Sequence, residues 1–289
     1  MSGEPKKDIA ASIRQRLLNI SKETGEDFNL VLTRYGLERM LYRLGKSEWH
    51  DRFLLKGAML FTLWHDEPHR PTRDADFLGF VEPEVDKLIE IFRSLCDLGN
   101  INDGIQFNSD TVRAEEIRED NVYEGIRVRL QGELAGANIG LQFDVGFGDA
   151  VTPGPDDIVF PTLLDQAAPE LKAYPVYTVI AEKFEAMVKL GIANSRMKDF
   201  YDLWVLKNKF DLEEKILKEA VQATFKRRRT KIPKGMPLAL TSEFSENESK
   251  KKQWISFLNK NGIENEFDLK TVTDSLTVFF TSVLKDFAD

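Results

Sequence analysis

The chain has 289 residues, which allows one large domain or two domains of modest size. A hydrophobic share of 42% and a charged share of 30% exclude a disordered or low-complexity protein. The single cysteine, Cys96, excludes an intrachain disulfide, and no apolar run reaches the ~18–20 residues of a membrane helix. Residues 1–7 also lack the apolar core of a signal peptide. These features predict a cytoplasmic protein with no membrane partner.

The charge is unevenly distributed along the chain. The net charge is −8, yet residues 183–234 contain 14 Lys and Arg against 7 Asp and Glu. This segment includes the consecutive basic residues Lys226, Arg227, Arg228 and Arg229. A local excess of positive charge in an acidic chain predicts a contact with a polyanion such as RNA. The alternative is an ordinary solvated helix face.

In chain order, residues 8–23 and 26–44 show the period of amphipathic helices. An apolar stretch with Gly57 follows at 53–64, and Pro68 and Pro71 make residues 66–73 a predicted loop. Residues 75–80 resemble a strand, and 83–96 resemble a helix. Residues 125–133 and 138–147 alternate apolar and polar side chains, which predicts an antiparallel hairpin, and 158–160 form a third short candidate strand.

Helical periods dominate the remainder, at residues 176–190, 195–207, 212–225, 246–259 and 268–286. Because strands concentrate before residue 162 and helices after it, the fold class predicted is α+β rather than alternating βαβ. We expect a first domain at residues 1–168, with N-terminal helices and a mixed sheet. A helical C-terminal domain is expected at residues 169–289.

The residues that suggest chemistry are a glycine and three aspartates on predicted strands. Asp74 and Asp76 are two apart, so both carboxylates point to the same side of a strand. Paired carboxylates suit Mg²⁺ or Mn²⁺, and Gly57 allows backbone N–H groups to approach a triphosphate closely. Asp144, on the later strand, is a candidate third metal ligand. Together they predict metal-dependent phosphoryl or nucleotidyl transfer, although D-x-D alone is also common on polar strand faces.

The order Gly57, Thr72, Asp74 and Asp76 resembles the first motif of the nucleotidyltransferase superfamily. Residues 179–186 and 194–203 resemble one branch of it, the AbiEii/AbiGii toxin family of bacterial abortive-infection toxin–antitoxin systems. The likeness covers residues 50–260, approximately. It implies a nucleotidyltransferase-like mixed sheet with flanking helices, and a helical region that completes the active-site cleft.

The resemblance also implies roles for individual residues. The implied catalytic residues are Asp74, Asp76, Lys183 and Asp199. The implied nucleotide contacts are Lys56, Gly57, Ala58, Thr72, Lys183 and Asp202. The sequence departs from the family at Ala58, where a second Gly or a Ser is usual, so a hydroxyl contact to phosphate is missing. A pair between Glu182 and Lys183 at a helix edge is the structural alternative for Lys183, and i,i+3 or i,i+4 pairs are the alternative for Asp199 and Asp202.

The function implied is that of a toxin that transfers a nucleoside monophosphate from an NTP to an acceptor. The acceptor expected is RNA, with a tRNA 3′ end as the leading candidate, and a cognate antitoxin is a possible partner. Two alternatives stay open at this point. One is a non-catalytic nucleotide- or partner-binding protein on the same fold, which Ala58 favours. The other is a kinase-like phosphotransferase, which would use the same residue types.

Overall fold

The chain divides into a unit that contains a sheet and a unit made of helices. The computed structural model describes residues 9–64, 72–99, 101–119, 122–264 and 267–287. The sheet unit comprises Met1–Gly148 and Asp156–Ala173, and the helical unit comprises Asp149–Pro155 and Tyr174–Asp289. The segment Asp149–Pro155 therefore leaves the sheet unit and belongs to the helical one.

The sheet is mixed and has seven strands in the order β3-β4-β5-β2-β1-β7-β6. The strands are β1 (Phe53–Lys56), β2 (Asp74–Gly79), β3 (Gln106–Glu119), β4 (Val122–Leu134), β5 (Ala137–Phe147), β6 (Asp156–Val159) and β7 (Glu170–Ala173). β2 runs parallel to β5, β1 runs parallel to β7, and the other neighbours are antiparallel. β2, which carries the two aspartates of D-x-D, therefore lies between β5 and β1.

One face of the sheet forms the core of its unit. The alternation along β5 buries Ile139, Leu141, Phe143 and Val145, while the residues between them stay partly or fully exposed. The helices of this unit are α1 (Ile9–Thr24), α2 (Phe28–Lys46), α3 (Leu60–Trp64) and α4 (Val85–Cys96). α2 packs on β5 and β7, and α4 packs on β3, so they cover the apolar face. The polar residues of β2 and β5 consequently lie on the opposite face.

The helical unit contains six helices in the part of the chain that the structure describes. They are α5 (Val176–Leu190), α6 (Met197–Lys209), α7 (Glu214–Arg228), α8 (Ser242–Ser245), α9 (Glu248–Asn261) and α10 (Leu269–Leu284). Aromatic side chains fill its core: Phe184 of α5 stacks on Phe280 of α10 with ring centroids 3.9 Å apart, and it also contacts Phe225 of α7. None of the described helices is both long enough and apolar enough to span a bilayer.

The predicted α+β class is confirmed, with the helices of the second unit within a few residues of their expected positions. The predicted hairpin is also found, as β4 and β5. Strands β1, β3 and β7 were not expected from the sequence, and residues 66–71 of the predicted loop lie outside the described residues. The single boundary expected after residue 168 differs from the observed division, because β7 pairs with β1 and β6 and so belongs to the sheet unit.

Candidate active site

A tight glycine turn touches one of the two aspartates of β2. Gly57 has φ +74°, a backbone conformation that L side chains rarely adopt, and it opens the short 3₁₀ helix Gly57–Met59 directly after β1. A Cβ atom built on Gly57 would lie 2.7 Å from Cγ of Asp76 and would clash with Oδ2 of the same carboxylate. The turn and this carboxylate are therefore in direct contact, and only glycine fits there.

Asp74 and Asp76 occupy the same face of β2. Both are partly buried, and they alternate with Ala75 and Phe77, which are fully buried on the opposite face. In the strand register, Lys56 of β1 lies opposite Asp76. The structure thus places both carboxylates of D-x-D on one side of β2, beside the glycine turn, as expected. Thr72 precedes the strand and is also partly buried.

The donor set fits a hard divalent cation. Mg²⁺ prefers oxygen ligands and is typically bound by one or two carboxylates, with waters and substrate phosphates completing its shell. Among the residues that the structure describes, no group of three or more His, Cys, Asp or Glu side chains converges as a metal site. Asp74 and Asp76, beside a turn with no side chain of its own, are the residues that would hold Mg²⁺ or Mn²⁺.

Asp144 lies next to Asp76 in the strand register but is engaged by an arginine. β5 places Asp144 opposite Asp76 on one side and opposite Arg127 of β4 on the other. Arg127 Nε donates to Asp144 Oδ1 at 2.8 Å, and Nη2 donates to Oδ2 at 2.7 Å. This hydrogen-bonded fork raises the pKa of Arg127 above its usual value. Asp144 is thus already paired with a cation of the protein, and its role as a third metal ligand stays a prediction.

In the helical unit, Lys183 forms a buried ion-pair cluster with two aspartates. Its Nζ donates to Asp199 Oδ1 at 2.8 Å and to Asp202 Oδ2 at 2.7 Å, and Arg196 Nε donates to Asp199 Oδ2 at 2.7 Å. The side chains of Asp199 and Asp202 are 0% exposed. Their separation of three residues puts both on one face of α6, and α5 supplies Lys183.

Charge attraction outweighs burial in this cluster. Burial alone would lower the pKa of Lys183, but the carboxylates of Asp199 and Asp202 hold it above its usual value. Burial would likewise raise the pKa of Asp199, but Lys183 and Arg196 hold it below its usual value. Lys183 and Asp199 are therefore both charged near neutral pH. The structural alternative of a Glu182–Lys183 pair is not adopted, because Glu182 pairs with Arg228 at 3.1 Å.

The basic residues at the end of α7 do not share one environment. Arg228 reaches Glu182 and Glu185, each at 3.1 Å, and Asp149 at 3.4 Å, all within the helical unit. Glu185 also accepts a short hydrogen bond from Thr230. Lys226, Arg227 and Arg229 are exposed. Arg228 therefore anchors the segment Asp149–Pro155 to α5, and the predicted RNA contact is better suited to the three exposed neighbours.

Arg127 was not identified from the sequence, and Arg228 was predicted only as an RNA contact, not as the partner of three carboxylates. For Arg127 a signal existed: a hairpin that turns at residues 134–137 places residue 127 directly opposite residue 144. For Arg228 no comparable signal existed, because its partners Asp149 and Glu185 lie on distant segments whose approach no local period encodes.

Comparison with known proteins identifies the family. The profile of the nucleotidyl transferase AbiEii toxin, type IV toxin–antitoxin system, matches residues 39–270. Among solved structures, Helicobacter pylori JHP933 is similar, with 13% identity, a TM-score of 0.49 and coverage of 86% of this chain and 88% of that chain. A second H. pylori protein, described as a candidate nucleotidyltransferase, shows 14% identity, a TM-score of 0.49 and coverage of 86% and 91%. A search of curated protein sequences finds no significant match. Because the profile covers most of its length, the chain belongs to the AbiEii nucleotidyltransferase toxin family of type IV toxin–antitoxin systems.

Proposed function

We propose that this protein uses a divalent metal ion to transfer a nucleoside monophosphate from an NTP to an RNA acceptor. The observation that carries the proposal is the contact between the Gly57 turn and the carboxylate of Asp76, with Asp74 on the same strand face. A turn without a side chain beside two carboxylates is suited to a metal-bound triphosphate. Family membership supports the class of reaction.

The residues of the sheet unit have distinct tasks in this proposal. Asp74 and Asp76 bind the cation, which when bound neutralises charge on phosphate oxygens. Gly57 lets the backbone approach the phosphates, and Ala58 offers its N–H but no hydroxyl. Lys56 shares the strand face of Asp76 in register and adds a positive charge at this edge. The loss of the hydroxyl at Ala58 should weaken nucleotide binding rather than abolish it.

For the helical unit, we propose that Lys183, Asp199 and Asp202 serve the same reaction, as the resemblance implies. The ammonium of Lys183 already contacts two carboxylates, so a nucleotide phosphate would be its third anionic neighbour. An ammonium has three N–H donors and the two carboxylates use two of them, so the third is the donor proposed for this contact. The three exposed basic residues Lys226, Arg227 and Arg229 are proposed to contact the acceptor.

The biological setting follows from the family. A toxin of a toxin–antitoxin system acts in the cell that makes it, so we propose a cytoplasmic location and a cognate antitoxin as partner. A tRNA 3′ end is the acceptor that we place first, as the resemblance to the family implies.

The test is incubation with Mg²⁺, total RNA and NTPs labelled at either the α or the γ phosphate. We expect RNA to acquire the α label, and Asp74→Asn to prevent it. Asp157→Asn is the matched control, because Asp157 is an exposed strand aspartate of the same sheet, on β6. Acquisition of the γ label alone would instead indicate a kinase-like phosphotransferase. Absence of both labels, with nucleotide binding retained, would indicate a non-catalytic binding protein.

A further inference from the structure

Asp144 binds one edge of the Arg127 guanidinium through two hydrogen bonds. A guanidinium carries five N–H donors, and the two bonds to Asp144 use one from Nε and one from Nη2. Within the described part of the chain, no further hydrogen-bond acceptor contacts this side chain. Three donors therefore point away from Asp144, and the side chain is 31% exposed. A guanidinium fixed at one edge with donors remaining at the other is well suited to an anionic oxygen.

The position of Arg127 brings these donors close to the candidate metal site. Asp76, Asp144 and Arg127 form one row across β2, β5 and β4. Neighbouring strands lie about 4.8 Å apart, so the Cα atoms of Arg127 and Asp76 are separated by roughly 10 Å. After Asp144, the charge of Asp74 is the next that attracts Arg127 and contributes to the rise in its pKa. The charge of Asp74, the first aspartate of D-x-D, therefore acts on this guanidinium.

The next arginine on the same strand face is arranged differently. Arg129 is more exposed, at 51%, and its guanidinium is divided between Glu115 and Gln142. In the register it lies in the row of Asp74, with Gln142 between them. Arg129 therefore has no carboxylate that holds it in a fork, and it provides a matched comparison for Arg127.

We propose, on the basis of the function proposed above, that Arg127 binds a phosphate group of the substrate and that Asp144 is a positioning residue that orients it. In this arrangement the cation is held by Asp74 and Asp76, and Asp144 is not its ligand. Phosphate oxygens are present both in the nucleoside triphosphate and in the acceptor RNA. The binding chemistry is the same for both, and separate binding measurements distinguish them.

The experiment compares Arg127→Gln, Arg127→Lys, Asp144→Asn and Asp74→Asn with the control Arg129→Gln. Three affinities are measured on each folded variant: Mn²⁺ alone, an NTP with Mg²⁺, and RNA alone. We expect Arg127→Gln to keep Mn²⁺ affinity and to lose roughly 10- to 100-fold in NTP or RNA affinity. Arg127→Lys, which keeps the charge but not the fork, should lose less. Asp144→Asn should also keep Mn²⁺ affinity and raise KM more than it lowers kcat.

Three results decide the matter. Loss of Mn²⁺ binding in Asp144→Asn, as severe as in Asp74→Asn, would make Asp144 a metal ligand and overturn its positioning role. Wild-type NTP and RNA affinity in both Arg127 variants, or losses equal to those of Arg129→Gln, would overturn the phosphate contact. Unchanged Mn²⁺ and NTP binding in Asp74→Asn would instead overturn the proposed function itself.

Discussion

Each unit contains a pair of aspartates close together in sequence, and the two pairs differ in how deeply they are buried. Asp199 and Asp202 are fully buried and held by Lys183, with Arg196 completing the cluster. Asp74 and Asp76 stay partly exposed on a strand face, beside a turn that has no side chain. The first pair is enclosed together with the protein's own cations, whereas the second remains accessible to solvent on a strand face. Equal residue types thus acquire different roles from their burial and neighbours.

The most direct test of this difference between the two pairs is to replace Asp74 and Asp76. We expect Asp74→Asn and Asp76→Asn each to abolish nucleotidyl transfer and to weaken Mg²⁺-dependent NTP binding, because each removes one of the two proposed metal ligands without changing volume. Thermal stability should be unchanged or slightly higher, since two neighbouring negative charges become one. Label transfer and melting temperature are measured on the same samples. Wild-type turnover would mean that D-x-D is an ordinary polar strand face.

A large loss of stability is expected at Lys183. Lys183→Met keeps most of the aliphatic stem but leaves two buried carboxylates without their shared cation, which should lower the free energy of unfolding by about 3–5 kcal/mol. Denaturant unfolding measures this loss, and the double variant with Asp202→Asn should recover part of it. Unchanged stability with lost NTP affinity would contradict a structural role and favour a direct phosphate contact.

The stability of the two units should depend on pH in opposite directions, through Glu38 in the sheet unit and Asp199 in the helical unit. In the sheet unit, the side chain of Glu38 is only 2% exposed, and this burial raises its pKa to about 7. The hydrogen bond that it accepts from the Leu163 N–H and the charges of Arg39 and Arg34 lower the pKa, but by less. The folded state therefore holds a proton that the unfolded state has released, so stability should fall as pH rises from about 4.5 to about 7. The loss is on the order of 3 kcal/mol.

Glu38→Gln should remove this dependence, which unfolding titrations between pH 4 and 8 would show. The carboxyl of Asp199 has a lowered pKa, so its contribution should instead be lost when the pH falls through the acidic range. A Glu38→Gln variant with the wild-type slope would show that Glu38 is ionised in the folded protein.

Gly57→Ala tests the contact between the turn and the carboxylate. The matched control is Gly136→Ala, because Gly136 has φ +78° in the β4–β5 turn but would place its Cβ in open space. Both variants carry the strain of a positive φ, roughly 1 kcal/mol. Only Gly57→Ala must also displace Asp76, so it should lose activity while the control keeps it. Equal activity in both would show that this contact is dispensable.

The smallest effect is expected from the exposed basic residues. Replacing Lys226, Arg227 and Arg229 with Gln should weaken RNA binding and make its salt dependence shallower, by about 0.7 in log–log slope for each RNA phosphate that the variant no longer neutralises. Arg228→Gln should reduce stability instead, because it removes the partner of Glu182, Glu185 and Asp149. An unchanged salt slope in the triple variant would assign these residues to protein contacts.

Local periodicity explains which parts of the fold could be predicted. The hairpin and the long helices have clear periods of two and 3.6, and D-x-D on a strand gives two carboxylates on one face. β1 and β7 have only four residues each, and β3 is rich in polar residues, so none of them shows a clear period. The site was predicted where spacing determines geometry. The partners of Lys183 and Arg228 depend on packing between distant segments, which spacing does not encode.

The order of the strands in the sheet also determines how much of the chain must be synthesised before the D-x-D strand is fully surrounded. β2, which carries Asp76, lies between β5 and β1. β1 in turn pairs in parallel with β7, where Leu55 lies opposite Ala173. These pairings join segments far apart in the chain, and contacts of this kind form late because a long loop must close first. During synthesis, a nascent chain that has exposed β1 and D-x-D still lacks β5, which flanks β2 on the other side, and β7, which pairs with β1. The D-x-D strand should therefore reach its final surroundings only after the chain up to β7 has been synthesised.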